Sequence, residues 1–263
     1  MGISRQACYQ ELKRAKAHAD RLQPVLEWVQ DIRRYLPRVG TRKLYYLLKP
    51  QLEQSCIKLG RDALFSLLRQ HHLLIKPRKQ YRKTTDSKHW MRKHPNLYES
   101  LDLSHPEQAY VSDITYLESD EGVHYLSLVT DAYSRKIVGH YVSNDMTAES
   151  VIKAFDQMAQ TRSSSGPAIH HSDRGLQYCS ALYQSRLAEH GIRPSMTTGY
   201  DCYQNALAER INGILKQEFL IHRYKNKVEL AQVVKESIYA YNYLRPHSSL
   251  GMKTPAYVHE KAN

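Results

Sequence analysis

Four cysteines, at positions 8, 56, 179 and 202, include no Cys-x-x-Cys pair. That spacing excludes a zinc knuckle and a disulfide framework and leaves reduced, structural thiols. No apolar run approaches the roughly 20 residues of a membrane span, and the opening residues lack the apolar core of a signal segment. No internal repeat is present. A soluble, cytoplasmic protein with no membrane partner is expected. Acid is scarce in one half only. Residues 1–100 hold 22 Lys and Arg against 8 Asp and Glu, whereas residues 101–263 hold 16 against 18. A basic front joined to a near-neutral back suggests a nucleic-acid-binding arm ahead of another activity. The plainer reading is a solvated basic surface.

The front half reads as helical. Residues 4–20 are rich in Ala, Lys and Arg, with no interior Gly or Pro. Pro24 suits the first turn of a second helix over 24–36, which Pro37 and Gly40 end. Thr41 is the expected N-cap of a third helix, whose end Lys49-Pro50 complicates. Gly60-Arg61-Asp62 opens a fourth helix that runs to about His71. Two short helices, the second beginning at basic residues, match a helix-turn-helix. Arg42, Lys43 and Arg61 are its candidate DNA contacts. Residues 1–75 form this expected domain. Residues 76–106 are an expected basic linker, in which Arg78, Lys79, Arg82 and Lys83 would track phosphates and Tyr81 and Trp90 would stack.

The pattern changes near residue 107. Alternating strands are expected over 110–117, 123–130 and 136–143, then a helix from Thr147 to about Thr161. A short strand over 168–171, a helix near 180–190, a strand over 192–194 and a long helix over 204–221 follow. This β-β-β-α-β-α-β-α order implies an α/β layer with a mixed sheet. The expected catalytic core covers 107–222. A final region, 223–263, is expected to carry one more helix and an extended tail packed on the core.

Three acids organise the core: Asp113 in the first strand, Asp173 just past the fourth, and Glu209 on the long helix, 35 residues after Asp173. Carboxylates converging from three elements favour a hard cation, Mg²⁺ or Mn²⁺. Two such ions about 3.5–4 Å apart can drive in-line displacement at phosphorus. Asn205, Glu209, Asn212 and Lys216 fall on one helix face and form a candidate DNA-facing stripe. An ordinary solvated face is the bland alternative. Asp131 reads as a structural turn residue, and His170 and His171 as strand-end packing.

The runs V-S-D-I-T-Y-L, Y-L-S-L-V-T-D-A-Y-S-R-K-I-V-G, H-S-D-R-G-L-Q-Y, N-A-L-A-E-R-I-N-G-I-L-K-Q-E and Y-N-Y-L-R-P-H-S-S-L-G-M-K-T-P resemble the integrase-type DDE transposases of bacterial insertion sequences. The resemblance is closest to the downstream-frame product of two-frame transposases, and it covers nearly the whole chain. It implies an RNase H-like five-stranded mixed sheet with flanking helices, preceded by the all-α domain. It also implies Asp113, Asp173 and Glu209 as ligands of two Mg²⁺ ions, with Asp113 bridging, and Lys216 on DNA. The implied reaction is cleavage at element ends and strand transfer into target DNA. The implied partners are terminal repeats, target DNA, further copies of the chain and an upstream-frame protein, and the implied place is the nucleoid. Relatives often carry Trp where this chain has Val111, a change expected to affect packing rather than chemistry. A DNA-binding accessory protein without cleavage, or a plain RNase H-like nuclease, are the alternatives. The intact acid set disfavours the first, and the basic arm disfavours the second.

Overall fold

The computed structural model describes residues 5–76, 91–198 and 205–262. Arg78, Lys79, Arg82, Lys83, Tyr81 and Trp90 therefore lie outside the described residues. The chain divides into two compact units, with the boundary between residues 77 and 78.

The first unit holds α1 (Arg5–Tyr35), α2 (Thr41–Gln54) and α3 (Arg61–Gln70). Its core is a set of leucines and valines at helical spacing: Leu22, Val25, Leu26 and Val29 on α1, Leu44, Leu48 and Leu52 on α2, and Leu64, Leu67 and Leu68 on α3. The two helices expected over 4–20 and 24–36 are one, with Pro24 inside it. Proline cannot donate to the carbonyl four residues back, here Asp20. Asp20 is exposed, so water can satisfy that carbonyl while the buried residues beside Pro24 hold the turn. Pro50 is accommodated in the same way inside α2, four residues after the exposed Tyr46. The N-cap of α2 is Gly40 rather than Thr41. Thr41 packs inward, and the Gly40 carbonyl accepts from the Lys43 and Leu44 N–H groups at 3.0 and 3.1 Å.

The second unit is built on β1 (Ala109–Ser119), β2 (Gly122–Asp131) and β3 (Ile137–Ser143), an antiparallel meander. Then follow α4 (Ala148–Thr161), β4 (Ala168–Ser172), α5 (Leu176–Cys179), α6 (Ala181–Glu189) and β5 (Ile192–Met196). Both β4 and β5 are parallel to β1, and the sheet order is β3-β2-β1-β4-β5. This is the expected RNase H-like mixed sheet. The expected long helix is α7 (Ala206–Ile214), continued by a π-helical turn over Leu215–Phe219. Next come α8 (Lys227–Tyr239), a second π-helical turn over Ala240–Leu244, and α9 (Pro255–Lys261). The tail is thus not wholly extended. Thr254 caps α9 by accepting from the Tyr257 N–H, and Pro255 takes its first turn, where a missing N–H costs nothing.

Strand alternation sends side chains to two faces. Tyr110, Ile114 and Val129 pack on Val151, Ala154, Phe155 and Met158 of α4 and on Tyr183 and Leu187 of α6. Ala109, Val111, Ala132 and Ile169 pack on Ala208 of α7. Leu97, Tyr98, Leu101 and Leu103 join this second face. Pro95 and Leu97 also bond strand β5, through the Met196 N–H and the Ser195 hydroxyl at 3.3 and 2.8 Å. The stretch read as the end of a linker is therefore part of the sheet unit. Glu107 and Asp131, both buried, sit beside the imidazole of His259 from α9. Asp131 accepts from the Glu107 N–H and from the Ser134 N–H and hydroxyl at 2.6–2.7 Å. Burial works to raise its pKa, but His259 and these donors outweigh it and hold the carboxyl below its ordinary value. The structural reading of Asp131 holds.

Edge strand β3 is closed by side chains. Asn242 accepts from the Ile137 N–H and donates to its carbonyl, both at 2.9 Å, and Gln157 accepts from the His140 N–H at 3.0 Å. Between them, Gly139 lies against α4 so closely that an added Cβ would stand 2.0 Å from the Ala154 carbonyl oxygen. Neither backbone can yield without unseating the helix. Gly139→Ala should therefore cost about 2–4 kcal/mol, read as a lower midpoint in urea or thermal melts.

Candidate active site

Parallel pairing of β1 with β4 sets Val111 opposite His171. Two residues further along each chain stand Asp113 and Asp173, so the same register brings both acids to one level. Neighbouring strands lie about 4.8 Å apart, which makes the pair close. Asp173 comes one residue after β4 ends, where the chain turns into α5. Its Oδ1 accepts from the Gly175 N–H at 3.0 Å. A Cβ on Gly175 would sit 3.0 Å from that same oxygen, so glycine is what lets the turn close on the carboxylate.

The two oxygens of Asp113 are held separately. Oδ1 accepts from the Ile114 N–H and Oδ2 from Nδ2 of Asn212, each at 2.8 Å. Lys216 on the following turn donates to the Thr115 hydroxyl at 3.2 Å and lies over the Tyr116 ring, 4.0 Å from its centroid. The spacing explains the match. Four residues of helix rise about 6 Å and two residues of strand about 6.6 Å, so Asn212 and Lys216 meet Asp113 and Thr115 in step. Asn205 completes the seam by donating to the Ser112 carbonyl at 3.1 Å.

The expected DNA-facing stripe is corrected by this arrangement. Asn205 and Asn212 are buried against the sheet rather than turned to a ligand surface. Glu209, in the first turn of α7, is the exposed member of the set. The shared face exists, but three of its four side chains are spent on β1. In the first unit, Arg61 is exposed and bonds Asp62 at 2.9 Å, and Arg42 on α2 is also exposed. Lys43 is half-buried.

Electrostatics sets the acids apart from ordinary surface carboxylates. Burial, and then the charge of Asp173, push Asp113 up to about 7, against the Asn212 and Ile114 hydrogen bonds that favour its charged form. Burial and Asp173 also raise Glu209. Lys216 is lowered by burial, with Glu118 and Asp113 acting the other way. Among the described residues, no three His, Cys, Asp or Glu side chains close into an ion-sized cluster. The donor set nevertheless suits a hard divalent cation. Its carboxylates repel one another, and the buried Oδ1 of Asn212 beside Asp113 has no hydrogen-bond partner among the described residues.

The histidines nearby do other work. His170 bonds the hydroxyls of Ser112 and Tyr183 at 2.7 and 2.9 Å, and burial, with His171 beside it, pushes it down to about 3. His171 meets the Ser195 hydroxyl at 2.9 Å and the Tyr98 ring. Both are packing residues under the site. What the sequence reading missed is the role of Asn212 on Asp113. The signal was available in the matched steps of helix and strand, 212 with 113 and 216 with 115.

A raised carboxyl makes stability depend on pH. Between the ordinary carboxylate pKa near 3.9 and about 7, the folded protein keeps a proton on Asp113 that the unfolded chain has lost. Stability from this group is therefore present at low pH and lost as pH rises through that window. Without divalent cation, wild type should lose roughly 1–3 kcal/mol relative to Asp113→Asn between about pH 4.5 and pH 7.5. Denaturant melts of both proteins across that range check it, and added Mg²⁺ should narrow the gap at the upper end.

Residues 104–202 and 190–255 match the integrase core domain family. The "Insertion element IS600 uncharacterized 31 kDa protein" of Shigella sonnei is 36% identical over 225 residues, covering 84% of this chain and 81% of that protein. "Transposase InsF for insertion sequence IS3A" of Escherichia coli K12 is 35% identical over 191 residues, covering 72% of this chain and 66% of that protein. In fold, the chain is similar to one from the simian T-cell lymphotropic virus intasome in complex with PP2A regulatory subunit B56 gamma. That likeness has a TM-score of 0.52 at 17% identity and covers 84% of this chain and 70% of the other. With Asp113 on β1, Asp173 just past β4 and Glu209 on α7, the chain belongs to the integrase-core family of insertion-sequence transposases.

Proposed function

We propose that the chain is a DNA transposase that cleaves at insertion-sequence ends and joins the freed 3′-hydroxyl to target DNA. The observation that carries this reading is the meeting of Asp113, within β1, and Asp173, just past the end of the parallel strand β4, with the helix bearing Glu209 bonded to Asp113 through Asn212. A pure DNA-binding protein gains nothing from clustered, mutually repelling carboxylates on a surface meant for phosphate.

Asp113, Asp173 and Glu209 would hold the divalent ions, Mg²⁺ or Mn²⁺ and two in number, with Asp113 shared between them. When bound, these ions supply Lewis acidity at the attacking and leaving oxygens of the phosphate. The chain's own residues supply position. Asn212 fixes the orientation of the Asp113 carboxylate and has a spare oxygen without a hydrogen-bond partner among the described residues. Gly175 fixes Asp173. Lys216, anchored on Thr115 and Tyr116, places a cation at the edge of the site, where it can meet a DNA phosphate. Substrate recognition falls to residues 1–75, with Arg42, Lys43 and Arg61 on the DNA backbone, and to Arg78, Lys79, Arg82 and Lys83 in the basic linker. Two element ends must be brought together, so the working form is an oligomer of this chain at the nucleoid, with an upstream-frame protein as fusion or partner.

The test is a strand-transfer assay on a labelled duplex bearing the element's terminal repeat. Wild type with Mg²⁺ should yield joined product, and Asp173→Asn or chelation should lower the rate by roughly 100-fold or more. Retention of duplex binding without any product from wild type, alone or fused to the upstream-frame segment, would instead identify an accessory DNA-binding protein.

A further inference from the structure

Two π-helical turns in the second unit are joined by one side-chain pair. One follows α7 over Leu215–Phe219, and the other follows α8 over Ala240–Leu244. Each is closed by a bond reaching five residues back, from the Leu220 N–H to the Leu215 carbonyl at 2.8 Å and from the Arg245 N–H to the Ala240 carbonyl at 2.9 Å. Such turns are rare and favour functional sites, because a plain α-turn is intrinsically the better arrangement. Something has to hold them.

The holding contact is a two-pronged ion pair. Arg245 Nε donates to Glu218 Oε2 at 2.7 Å and Nη2 to Oε1 at 2.6 Å. Its third nitrogen, Nη1, meets Nε2 of His247 at 3.0 Å. The arginine side chain is 3% exposed and that of the glutamate 21%. Tyr241, fully buried, stands edge-on to His247 and bonds the Arg135 carbonyl at 3.1 Å, while Asn242 grips Ile137 of β3. The arginine end of the pair is thus rooted in the sheet.

We propose that Glu218 and Arg245 are a positioning pair for the transposition centre, fixing the π-turn that aims Lys216 and holds Asn212 on Asp113. The inference rests on the transposase reading for its activity arm. Lys216 lies inside the first π-turn, two residues before Glu218. Were that turn to relax to α geometry, every side chain in it would rotate about the helix axis, and Lys216 would leave Thr115. In the π arrangement the Glu218 carboxylate reaches the fork of Arg245, so the pair favours that arrangement. A buried ion pair is a weak source of net stability compared with apolar side chains of similar volume. Its value here lies in geometry, since a planar fork accepts a carboxylate in one orientation.

The experiment compares wild type, Glu218→Gln and the double variant Glu218→Met with Arg245→Met. The double variant replaces the pair by apolar volume, so that folding is retained even if a single change leaves a buried charge. Strand transfer is measured at varied DNA concentration with saturating Mg²⁺, and amide hydrogen exchange is followed in the same proteins without DNA. The expected result is a kcat lower by roughly 10–100-fold, with the KM for DNA within about threefold of wild type. Exchange should quicken across residues 209–219 and stay unchanged in β1 and β2. Wild-type kcat and wild-type exchange in the double variant would overturn the proposal. So would exchange quickened equally through β1 and β2, which marks a merely structural pair. Absence of strand transfer from wild type would count against the transposase reading alone, because the exchange arm still decides whether the pair governs α7.

Discussion

Like charge confined where β1 runs past the end of its parallel neighbour β4 is the constraint on which the sheet unit depends. Asp113 and Asp173 share a level because β1 and β4 share a register, and burial together with the charge of Asp173 disfavours the ionised form of Asp113. The surrounding contacts answer that repulsion in part. The Ile114 N–H, the Asn212 amide and the Gly175 N–H each donate to one of the carboxylate oxygens. None of these donors carries a full charge, and the lysine in reach, Lys216, is turned onto Thr115 and Tyr116. Carboxylates gathered in this way suit a hard divalent cation, whose charge would offset their repulsion.

Holding such a site open demands rigidity from elements that never touch it. Gly139 lets α4 lie flush on the sheet, and His170 ties Ser112, beside Asp113, to Tyr183 on α6. On the other face, Asn205, Asn212 and Lys216 stitch α7 to β1 along one line. The C-terminal region completes the frame through Asn242 on Ile137, Arg245 on Glu218 and His259 beside Glu107 and Asp131. A region that reads in sequence as a helix and an extended tail packed on the core bridges the edge strand and the π-turn that follows α7.

The strands and the acids were legible because their signals are local. Alternation over 110–117 and 123–130, and an acid just past a short apolar strand, need no tertiary knowledge. What was hidden depended on which surface an element meets. Pro24 reads as a helix start, but the buried run Leu22, Val25, Leu26 and Val29 carries α1 through it. Asn205 and Asn212 read as ligand-facing amides, because helical spacing reports a shared face without saying what that face touches. The stretch after the basic run reads as linker, since Pro95 and Leu97 reveal their role only against β5. Helix α9 was the exception, for Thr254-Pro255 is a local cap signal that punctuation by proline and glycine obscured.

The closed margin of β3 bears on how copies of the chain can meet. With Asn242 and Gln157 occupying the backbone groups of Ile137 and His140, that border offers no template for a foreign strand. A second copy would therefore find no continuous main-chain ladder to join along residues 137–140 of β3. Contacts made through side chains at that margin could form and part without breaking a main-chain ladder.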